Sequence, residues 1–430
     1  MRFGVYRALT TIAGWGALPA ALLARAHGGD RAARFAYDDA RGATWVHAAS
    51  VGEVAAAAPL VRAFGLHRPD DDRLVTSGTA GGLAAWRREL ERRPPGGAPV
   101  SVTAWPLDFP GVVKRALDRR APRRVLIVET EIWPNFLAEA LRRGVRIAFA
   151  NARLSERRWA RTRVLVPLVQ PLLSRVTACA AQSEADLERW AYLGVPREAL
   201  CVSGNTKYDA VTAAPSEPDR ARRRASARIP DGLVVCAWGS LRPGEEPAVI
   251  AAARALEEHG RAVAIVAVPR HPEQAHETRL ALVRAGLDVS DWRPGEAWPL
   301  DAHGKGRPSA IWVPALGVLR DVYAIADVAV VGGTFAPYGG HNAAEPALAG
   351  VPVIVGPHIA GIRDVVEALA ARGGGRVAIT GREVADQIVR WTESDRALAD
   401  ARTNARRSVE DLAGASARTI GFLEARGFWG

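Results

Sequence analysis

Short apolar runs alternate with amphipathic stretches along most of this chain. In the first half, five runs predict buried β-strands: Thr44–Ala49, Arg73–Ser77, Arg123–Thr130, Arg146–Asn151 and Thr177–Gln182. Between these runs, apolar residues recur at helical spacing and predict four helices: Val54–Phe64, Leu83–Glu91, Gly111–Asp118 and Phe136–Arg143. This alternation is typical of an open parallel sheet with helices on both faces.

A second series begins after a charged, proline-containing stretch at residues 213–224. Its predicted strands are Leu233–Ser240, Arg261–Pro269, Ala310–Pro314, Asp327–Gly333 and Val351–Pro357, with helices at Glu246–His259 and Pro272–Ala285. The pattern predicts an α/β protein of two Rossmann-like domains whose parallel sheets face a central cleft. We expect a membrane-associated segment over 1–30, a first domain over 31–212, a linker over 213–230 and a second domain over 231–430. The helical stretch Arg382–Phe428 is expected to pack on the second half and to cross back over the first.

The N-terminal segment is apolar between basic flanks. Residues 8–24 carry no charged side chain, and these seventeen residues include two glycines and a proline. That length is marginal for a spanning helix, so a short anchor, an interfacial helix and the apolar region of a signal peptide all stay open. We expect association with a membrane.

The chain has 430 residues and a formal net charge of +11, carried almost entirely by arginine. The arginines are scattered through amphipathic helices, which favours an anionic membrane or substrate as partner over a nucleic acid. Three distant cysteines (Cys179, Cys201 and Cys236) indicate a reducing compartment and no disulfide framework or zinc site. No G-x-G-x-x-G follows the first strand of either half, and no Walker A sequence is present. The single D-x-D, Asp70–Asp72, is a weak metal candidate, so no cofactor or metal is expected.

The stretch Gly332–Pro357 (GGTFAPYGGHNAAEPALAGVPVIVGP) leaves a predicted strand through a glycine-rich loop. A helical pattern resumes at Ala343–Ala349. Such a unit can present free backbone N–H groups and a helix N-terminus to an anion, usually a phosphate. The alternative is a structural turn in which Asn342 caps the helix.

Polar residues also follow the predicted strands of the first half, where ligands bind in open α/β sheets. Glu53 begins a helix, so it is either a general base or a helix-start charge. Glu129 and Glu131 in VETEIWPN either serve a ligand or cap the next helix. Lys207 in GNTKYD is one of only three lysines in a chain that otherwise uses arginine. Either this position needs a compact ammonium group, or the lysine is there by chance.

Taken in order, these motifs resemble the bacterial 3-deoxy-D-manno-octulosonic acid (Kdo) transferases of lipid A assembly. The matching segments are HAASVGEV, VETEIWPN, NARLSERR, GNTKYD, GS-x-x-x-GEE, VPRHPE and the glycine-rich stretch, together with the apolar N-terminus. They cover about Thr44 to Pro357. The resemblance implies a GT-B fold, a CMP-Kdo donor, a lipid A precursor (lipid IVA) as acceptor, no metal, and a place on the cytoplasmic face of the inner membrane.

The resemblance also implies roles for single residues. Glu53 corresponds to the general base, and Glu131 and Lys207 correspond to positions that stabilise the transition state. The segments corresponding to the CMP-binding residues are Pro269 and Arg270, then Leu316, Gly317 and Val318, then Asn342, Ala343, Ala344 and Glu345.

Three positions depart from the family pattern. Gly317-Val318 replaces a Gly-Glu pair, Ser240-Leu241 replaces Ser-Thr, and Asn342-Ala343-Ala344-Glu345 replaces Asn-Pro-Leu-Glu. The alternatives are therefore a GT-B transferase that uses another nucleotide sugar and a non-catalytic relative that binds nucleotide or lipid.

Overall fold

The computed structural model describes residues 3–17, 19–21, 23, 29–92, 97–209, 216–299 and 309–430. The chain forms two compact units. The first unit comprises Met1–Ala210 together with Ala413–Gly430, and the second comprises Val211–Leu412.

The first unit is built on a seven-stranded parallel sheet. Its strands are β1 (Thr44–His47), β2 (Arg73–Ser77), β3 (Val100–Ala104), β4 (Arg124–Val128), β5 (Arg146–Ala152), β6 (Ala178–Ala181) and β7 (Leu200–Val202). Their order is β3-β2-β1-β4-β5-β6-β7. Because β1 pairs with both β2 and β4, the direction of winding reverses between β1 and β4, where ligands bind in such sheets.

The helices of the first unit cover both faces of this sheet. They are α1 (Phe3–Gly16), α2 (Gly29–Arg34), α3 (Val51–His67), α4 (Ala80–Arg92), α5 (Pro110–Arg120), α6 (Pro134–Arg142), α7 (Glu156–Thr162), α8 (Val166–Leu173) and α9 (Glu184–Tyr192). Successive residues of a strand enter different clusters: Trp45 lies in one core and Val46 in the other. Both faces are therefore buried, which explains why the strands are continuous apolar runs.

The second unit repeats the architecture. Its strands are β8 (Val234–Leu241), β9 (Val263–Pro269), β10 (Asp288–Asp291), β11 (Ser309–Trp312), β12 (Val328–Val331), β13 (Val353–Val355) and β14 (Gly375–Val377). They form a second seven-stranded sheet in the order β10-β11-β9-β8-β12-β13-β14. The reversal falls between β8 and β12. The predicted pair of parallel α/β domains is confirmed.

The helices after residue 216 are α10 (Glu217–Ser226), α11 (Glu246–Glu258), α12 (His276–Arg284), α13 (Leu319–Tyr323), α14 (Ala344–Leu348), α15 (Arg363–Arg372), α16 (Gly381–Trp391), α17 (Asp395–Glu410) and α18 (Ala415–Ala425). Residues 217–226, expected inside a linker, thus form α10, and Arg220 of this helix is 3% exposed. Its guanidinium donates to the carbonyls of Ala326 and Ala349, which fixes α10 to the second unit.

The C-terminal helix returns to the first unit. The Asp209 carboxylate accepts the amides of Gly414 (2.6 Å), Ala415 (3.2 Å) and Ser416 at the start of α18. An anion at a helix N-terminus satisfies donors that have no partner inside the helix. The crossing expected within Arg382–Phe428 therefore occurs at residue 413.

Helix α1 lies on the first unit with one face exposed. Phe3 and Tyr6 pack against the core, and the Tyr6 hydroxyl donates to Asp108 Oδ2 at 2.8 Å. Val5, Leu9, Ile12 and Trp15 recur at helical spacing and are between 54% and 73% exposed. Among the helices that the structure describes, none is both long and apolar enough to cross a membrane.

Candidate active site

Glu53 lies in the first turn of α3, beside the winding reversal of the first sheet. Ser50 caps this helix and accepts the Glu53 amide at 3.4 Å, while Glu53 Oε2 accepts the Ala49 amide at 2.6 Å. The residue is only 5% exposed. Burial, and then the charges of Glu129 and Glu131, raise the pKa of Glu53 to about 7. A carboxyl group whose pKa lies near neutrality is suited to exchange a proton at neutral pH.

Glu129 and Lys207 form an ion pair next to this carboxyl group. Lys207 Nζ lies 3.1 Å from Glu129 Oε1, with the two side chains 33% and 18% exposed. Glu129 follows β4 in a left-handed conformation, with φ of 63°. This conformation is uncommon outside glycine and is often found at functional sites. The resemblance assigned a role beside Lys207 to Glu131. In the structure, Glu129 is the residue that pairs with Lys207.

Glu131 has a different partner. Its Oε1 lies 3.5 Å from Nη1 of Arg158 on α7. Burial raises the pKa of Glu131, and the Arg158 charge opposes that effect. The NARLSERR segment therefore contributes a cation to the acidic group. Three carboxylates and two cations, all from unit one, meet at the end of the first sheet.

Asn151 holds the turn that carries Lys207. This residue lies near the end of β5, is fully buried and has φ of 51°. Its Oδ1 accepts the amide of Thr206 at 3.0 Å, and the Thr206 hydroxyl donates to the carbonyl of Ala56 in α3 at 2.7 Å. The Asn151 side chain thus joins β5 to the lysine turn, and Thr206 joins that turn to the glutamate helix.

Three amides at the start of the glycine-rich loop of the second unit are bound by a carboxylate of the protein itself. Fully buried Glu245 accepts the amides of Gly333 at 2.8 Å, Thr334 at 3.0 Å and Phe335 at 2.9 Å. It also accepts the Arg242 amide at 2.9 Å. An internal carboxylate thus takes three of the loop amides that the sequence predicts to be free for a phosphate. Its only sequence signal was its place as the first glutamate of the GEE motif, Gly244–Glu246, after β8.

The loop is packed too closely for a side chain at its first residue. A Cβ on Gly332 would lie 2.3 Å from the carbonyl oxygen of Ser240. Ser240 itself has φ of 58°, so both loops at the β8–β12 reversal have demanding backbone geometry. This close approach explains the glycine at the end of β12.

The residues matched to CMP-binding segments lie at the carboxyl edge of the second sheet. Pro269 ends β9, and exposed Arg270 follows it and donates its amide to Leu241 O at 3.0 Å. Leu316 is 67% exposed, Gly317 has φ of 78°, and Val318 precedes α13.

The last matched segment surrounds the start of α14. Asn342 precedes the N-cap residue Ala343, and its Oδ1 accepts the amide of Ala344, the first residue of α14, at 3.1 Å. Ala343 and Ala344 are buried. Burial raises the pKa of Glu345, while Arg320 and Arg270 act against this shift. The N-cap residue is therefore Ala343 and not Asn342 as predicted, and Glu345 lies within the electrostatic reach of Arg270.

The described residues contain no cluster of side chains suited to bind a metal ion. Across the described ranges, no group of three or more His, Cys, Asp or Glu side chains is placed to hold an ion. The charged groups of the candidate site pair with one another instead.

Comparison with known proteins places this arrangement in a family. The sequence model "3-Deoxy-D-manno-octulosonic-acid transferase (kdotransferase)" matches residues 26–210. A 3-deoxy-D-manno-octulosonic acid transferase of Bordetella pertussis is 35% identical over 395 residues, which cover 88% of this chain and 86% of the relative. The chain belongs to the Kdo transferase family. The transferase of Haemophilus influenzae is 31% identical and aligns with 73% of the Kdo transferase described here and 70% of its own length.

Solved structures confirm the GT-B fold of this Kdo transferase. Anabaena Alr3699/HepE in complex with UDP is similar over 89% of this chain and 99% of its own, with a TM-score of 0.60 at 15% identity. UDP-GlcNAc 2-epimerase from Neisseria meningitidis gives a TM-score of 0.59 at 12% identity, over 89% and 99% of the two chains. The sequence relatives, and not these structures, make the protein a glycosyltransferase, of the family that transfers Kdo in lipopolysaccharide synthesis.

Proposed function

We propose that this enzyme transfers Kdo from CMP-Kdo to a lipid A precursor, lipid IVA, at the cytoplasmic face of the inner membrane. The observation that carries the proposal is the buried Glu53, whose pKa is raised to about 7 beside the Lys207–Glu129 pair. A family member with an intact base and an intact neighbouring cation has the groups that sugar transfer requires.

In the proposed reaction, a hydroxyl oxygen of the acceptor attacks the anomeric carbon of Kdo. Its proton passes to Glu53, the new C–O bond forms, and the bond from that carbon to the CMP phosphate oxygen breaks. A single displacement of this kind inverts the anomeric configuration. Lys207 and Arg158 supply positive charge near the reacting groups, so protein side chains perform the electrostatic work without a metal.

The proposed donor site lies in the second unit. Exposed Arg270 is available to a phosphate, and Asn342 and Glu345 are available to the sugar or base of the nucleotide. Glu245 already accepts the amides of Gly333, Thr334 and Phe335, so Arg270 is the group proposed to bind the phosphate. Val318 stands where the family has a glutamate, so another nucleotide sugar is the competing donor.

Membrane association is proposed through α1. Its exposed row of Val5, Leu9, Ile12 and Trp15 suits insertion at the boundary between headgroups and acyl chains. The opposite face is held by Tyr6 and by Thr10, whose hydroxyl accepts a hydrogen bond from Asn135 Nδ2 at 2.9 Å. This arrangement favours a helix that lies on the membrane surface.

Two measurements on the full chain test the proposal. The first compares thermal stabilisation by CMP, UDP and ADP, and we expect a clear preference for CMP because a ligand that binds the folded state raises its stability. The second measures sugar transfer from CMP-Kdo to lipid IVA. Glu53→Gln should retain stabilisation by CMP and lose transfer by about two to four orders of magnitude. A preference for UDP or ADP would contradict the donor assignment and leave the fold unaffected.

A further inference from the structure

Basic side chains from three loops gather at the carboxyl edge of the second sheet. Arg242 follows β8, Arg270 and His271 follow β9, and His341 follows β12. The loops are fastened to one another by the Arg270 amide on Leu241 O at 3.0 Å and by the Tyr338 hydroxyl on Pro243 O at 3.2 Å. Their relative positions are therefore set by the second unit itself.

His341 occupies space left by a glycine. Its Cδ2 and Nε2 lie 2.9 and 3.1 Å from the position that a Cβ on Gly333 would take. Within the described residues, the buried Nε2 of His341 and the buried Nε of Arg242 have no hydrogen-bond partner. Two ring or guanidinium nitrogens without partners, on adjacent loops, form an incomplete polar site.

The charges around these nitrogens are mainly positive. Burial, and then the charges of Arg270, Arg242 and His271, lower the pKa of His341 to about 4. Three carboxylates lie near these groups: Glu245 accepts four backbone amides, Glu273 Oε1 lies 3.5 Å from His271 Nδ1, and Glu345 lies within reach of the charges of Arg320 and Arg270. Neither Arg242 nor Arg270 forms a salt bridge with any carboxylate that the structure describes. An anionic ligand would satisfy this region.

Arg242 is oriented for such a ligand. Its guanidinium carbon lies 4.2 Å from the centre of the Tyr338 ring, and Tyr338 is itself hydrogen-bonded to the Arg242 loop. Stacking on an aromatic ring limits the motion of a guanidinium and leaves its edge free for a carboxylate.

We propose that His341 and Arg242 bind the carboxylate of the donor sugar, while Arg270 binds the phosphate of the nucleotide. This inference rests on the proposed donor class, a nucleotide linked to a sugar acid. It gives the enzyme a means to select acidic sugars over neutral ones, because a neutral sugar would leave the two nitrogens without partners. CMP alone has the phosphate and lacks the sugar carboxylate, so the two ligands separate the two functions.

The test compares the KM for CMP-Kdo with the inhibition constant of CMP in the full-length enzyme. His341→Ala and Arg242→Gln should each raise the donor KM by about tenfold or more, the usual loss for a hydrogen bond to a charged group. The inhibition constant of CMP should change by less than about twofold on the same reasoning. His276→Ala removes an exposed histidine on α12 and serves as the matched control, with both constants unchanged.

His341→Gln keeps an N–H donor, and it tests the role of His341 if the alanine variant does not fold. It should fold and give a donor KM between those of the wild type and of Arg242→Gln. An unchanged donor KM would overturn the inference, as would a parallel rise in the CMP inhibition constant. Wild-type enzyme that neither uses CMP-Kdo nor is inhibited by CMP would instead refute the proposed function.

Discussion

Lys207 and Glu129 are joined by an ion pair of 3.1 Å although 78 positions separate them in the sequence. The pair links the turn after β7 to the left-handed residue at the end of β4. It places an ammonium group beside the carboxylates that raise the pKa of Glu53. Lysine is rare in this chain, and here its compact charge has a defined partner.

Lys207→Arg should fold normally, melt close to the wild-type temperature and transfer sugar poorly. A planar guanidinium is larger than an ammonium group, and a misplacement of about an ångström can reduce the rate on the order of a hundredfold. The measurements are steady-state kinetics and thermal melting. Lys114→Arg is the control, because Lys114 is exposed on α5, and Lys305 lies outside the described residues. Equal activity in the two variants would refute a catalytic role for Lys207.

The pH profile of kcat/KM should show an acid limb with an apparent pKa of about 7. Glu53 must be ionised to accept a proton, so activity should fall about tenfold per pH unit below that value. Glu129→Gln should move the limb to lower pH, since the Glu129 charge helps to raise the pKa of Glu53. A limb that stays in place in this variant would show that Glu129 and Glu53 are not coupled.

The raised pKa of Glu53 also predicts that the free energy of unfolding decreases as the pH rises, whereas the activity increases. The folded state holds the Glu53 proton more tightly than the unfolded state does, because its pKa is raised from 4.5 to about 7. The stabilisation is complete below pH 4.5 and is lost as the pH rises toward 7. Denaturant unfolding of Glu53→Gln should show a smaller decrease across this window than wild type. An identical decrease would assign the effect to other groups.

Asn151→Ala and Asn151→Gly separate backbone strain from the hydrogen bond to Thr206. Both variants lose the acceptor that holds the Lys207 turn, so both should have a lower kcat, by about tenfold. Only alanine also resists a φ of 51°, and it should therefore unfold with about 1 kcal/mol less free energy than the glycine variant. Urea titration measures the difference. Full turnover in Asn151→Gly would show that the amide does not position Lys207.

Glu245→Gln should destabilise the second unit by about 3 kcal/mol, because an amide nitrogen would face backbone N–H groups in a buried site. Thermal or urea unfolding reports the loss. Glu257→Gln, at an exposed position of α11, is the matched control and should change stability by less than about 0.5 kcal/mol. If Glu245→Gln were as stable as wild type, the conformation of the loop would not depend on this carboxylate.

Leu9→Ser combined with Ile12→Ser should release the enzyme from vesicles that contain anionic phospholipid. These residues are 56% and 69% exposed on α1, so their loss should not disturb the core, and transfer to detergent-dispersed acceptor should continue. Removal of residues 1–25 should have the same effect on pelleting but also reduce stability, because it deletes the Tyr6 and Thr10 contacts. Undiminished pelleting of the double variant would assign membrane binding to basic surfaces.

The hydrophobic pattern of the sequence predicted the central strands correctly but missed the strands at the edges of both sheets. Fully buried strands such as Arg124–Val128 are apolar without interruption, and their pattern is visible in any reading of the chain. Strand β10, Asp288–Asp291, is partly exposed and contains two aspartates, so it has no apolar signal. Strands β3, β7 and β14 were also missed. Edge strands take their structure from a neighbour's hydrogen bonds more than from their own composition.

The sequence by itself determined the two Rossmann-like halves, the family and the segments that carry polar residues to the strand ends. These are local properties, since hydrophobic period and ordered motifs survive in a linear chain. Tertiary structure alone decided which charges meet: Lys207 with Glu129, Glu131 with Arg158, and Glu245 with the amides of the glycine-rich loop. Local pattern cannot show these pairs, because each joins residues at least 27 positions apart. Whether a loop amide is free for a phosphate depends on a side chain from another loop, and folding decides that.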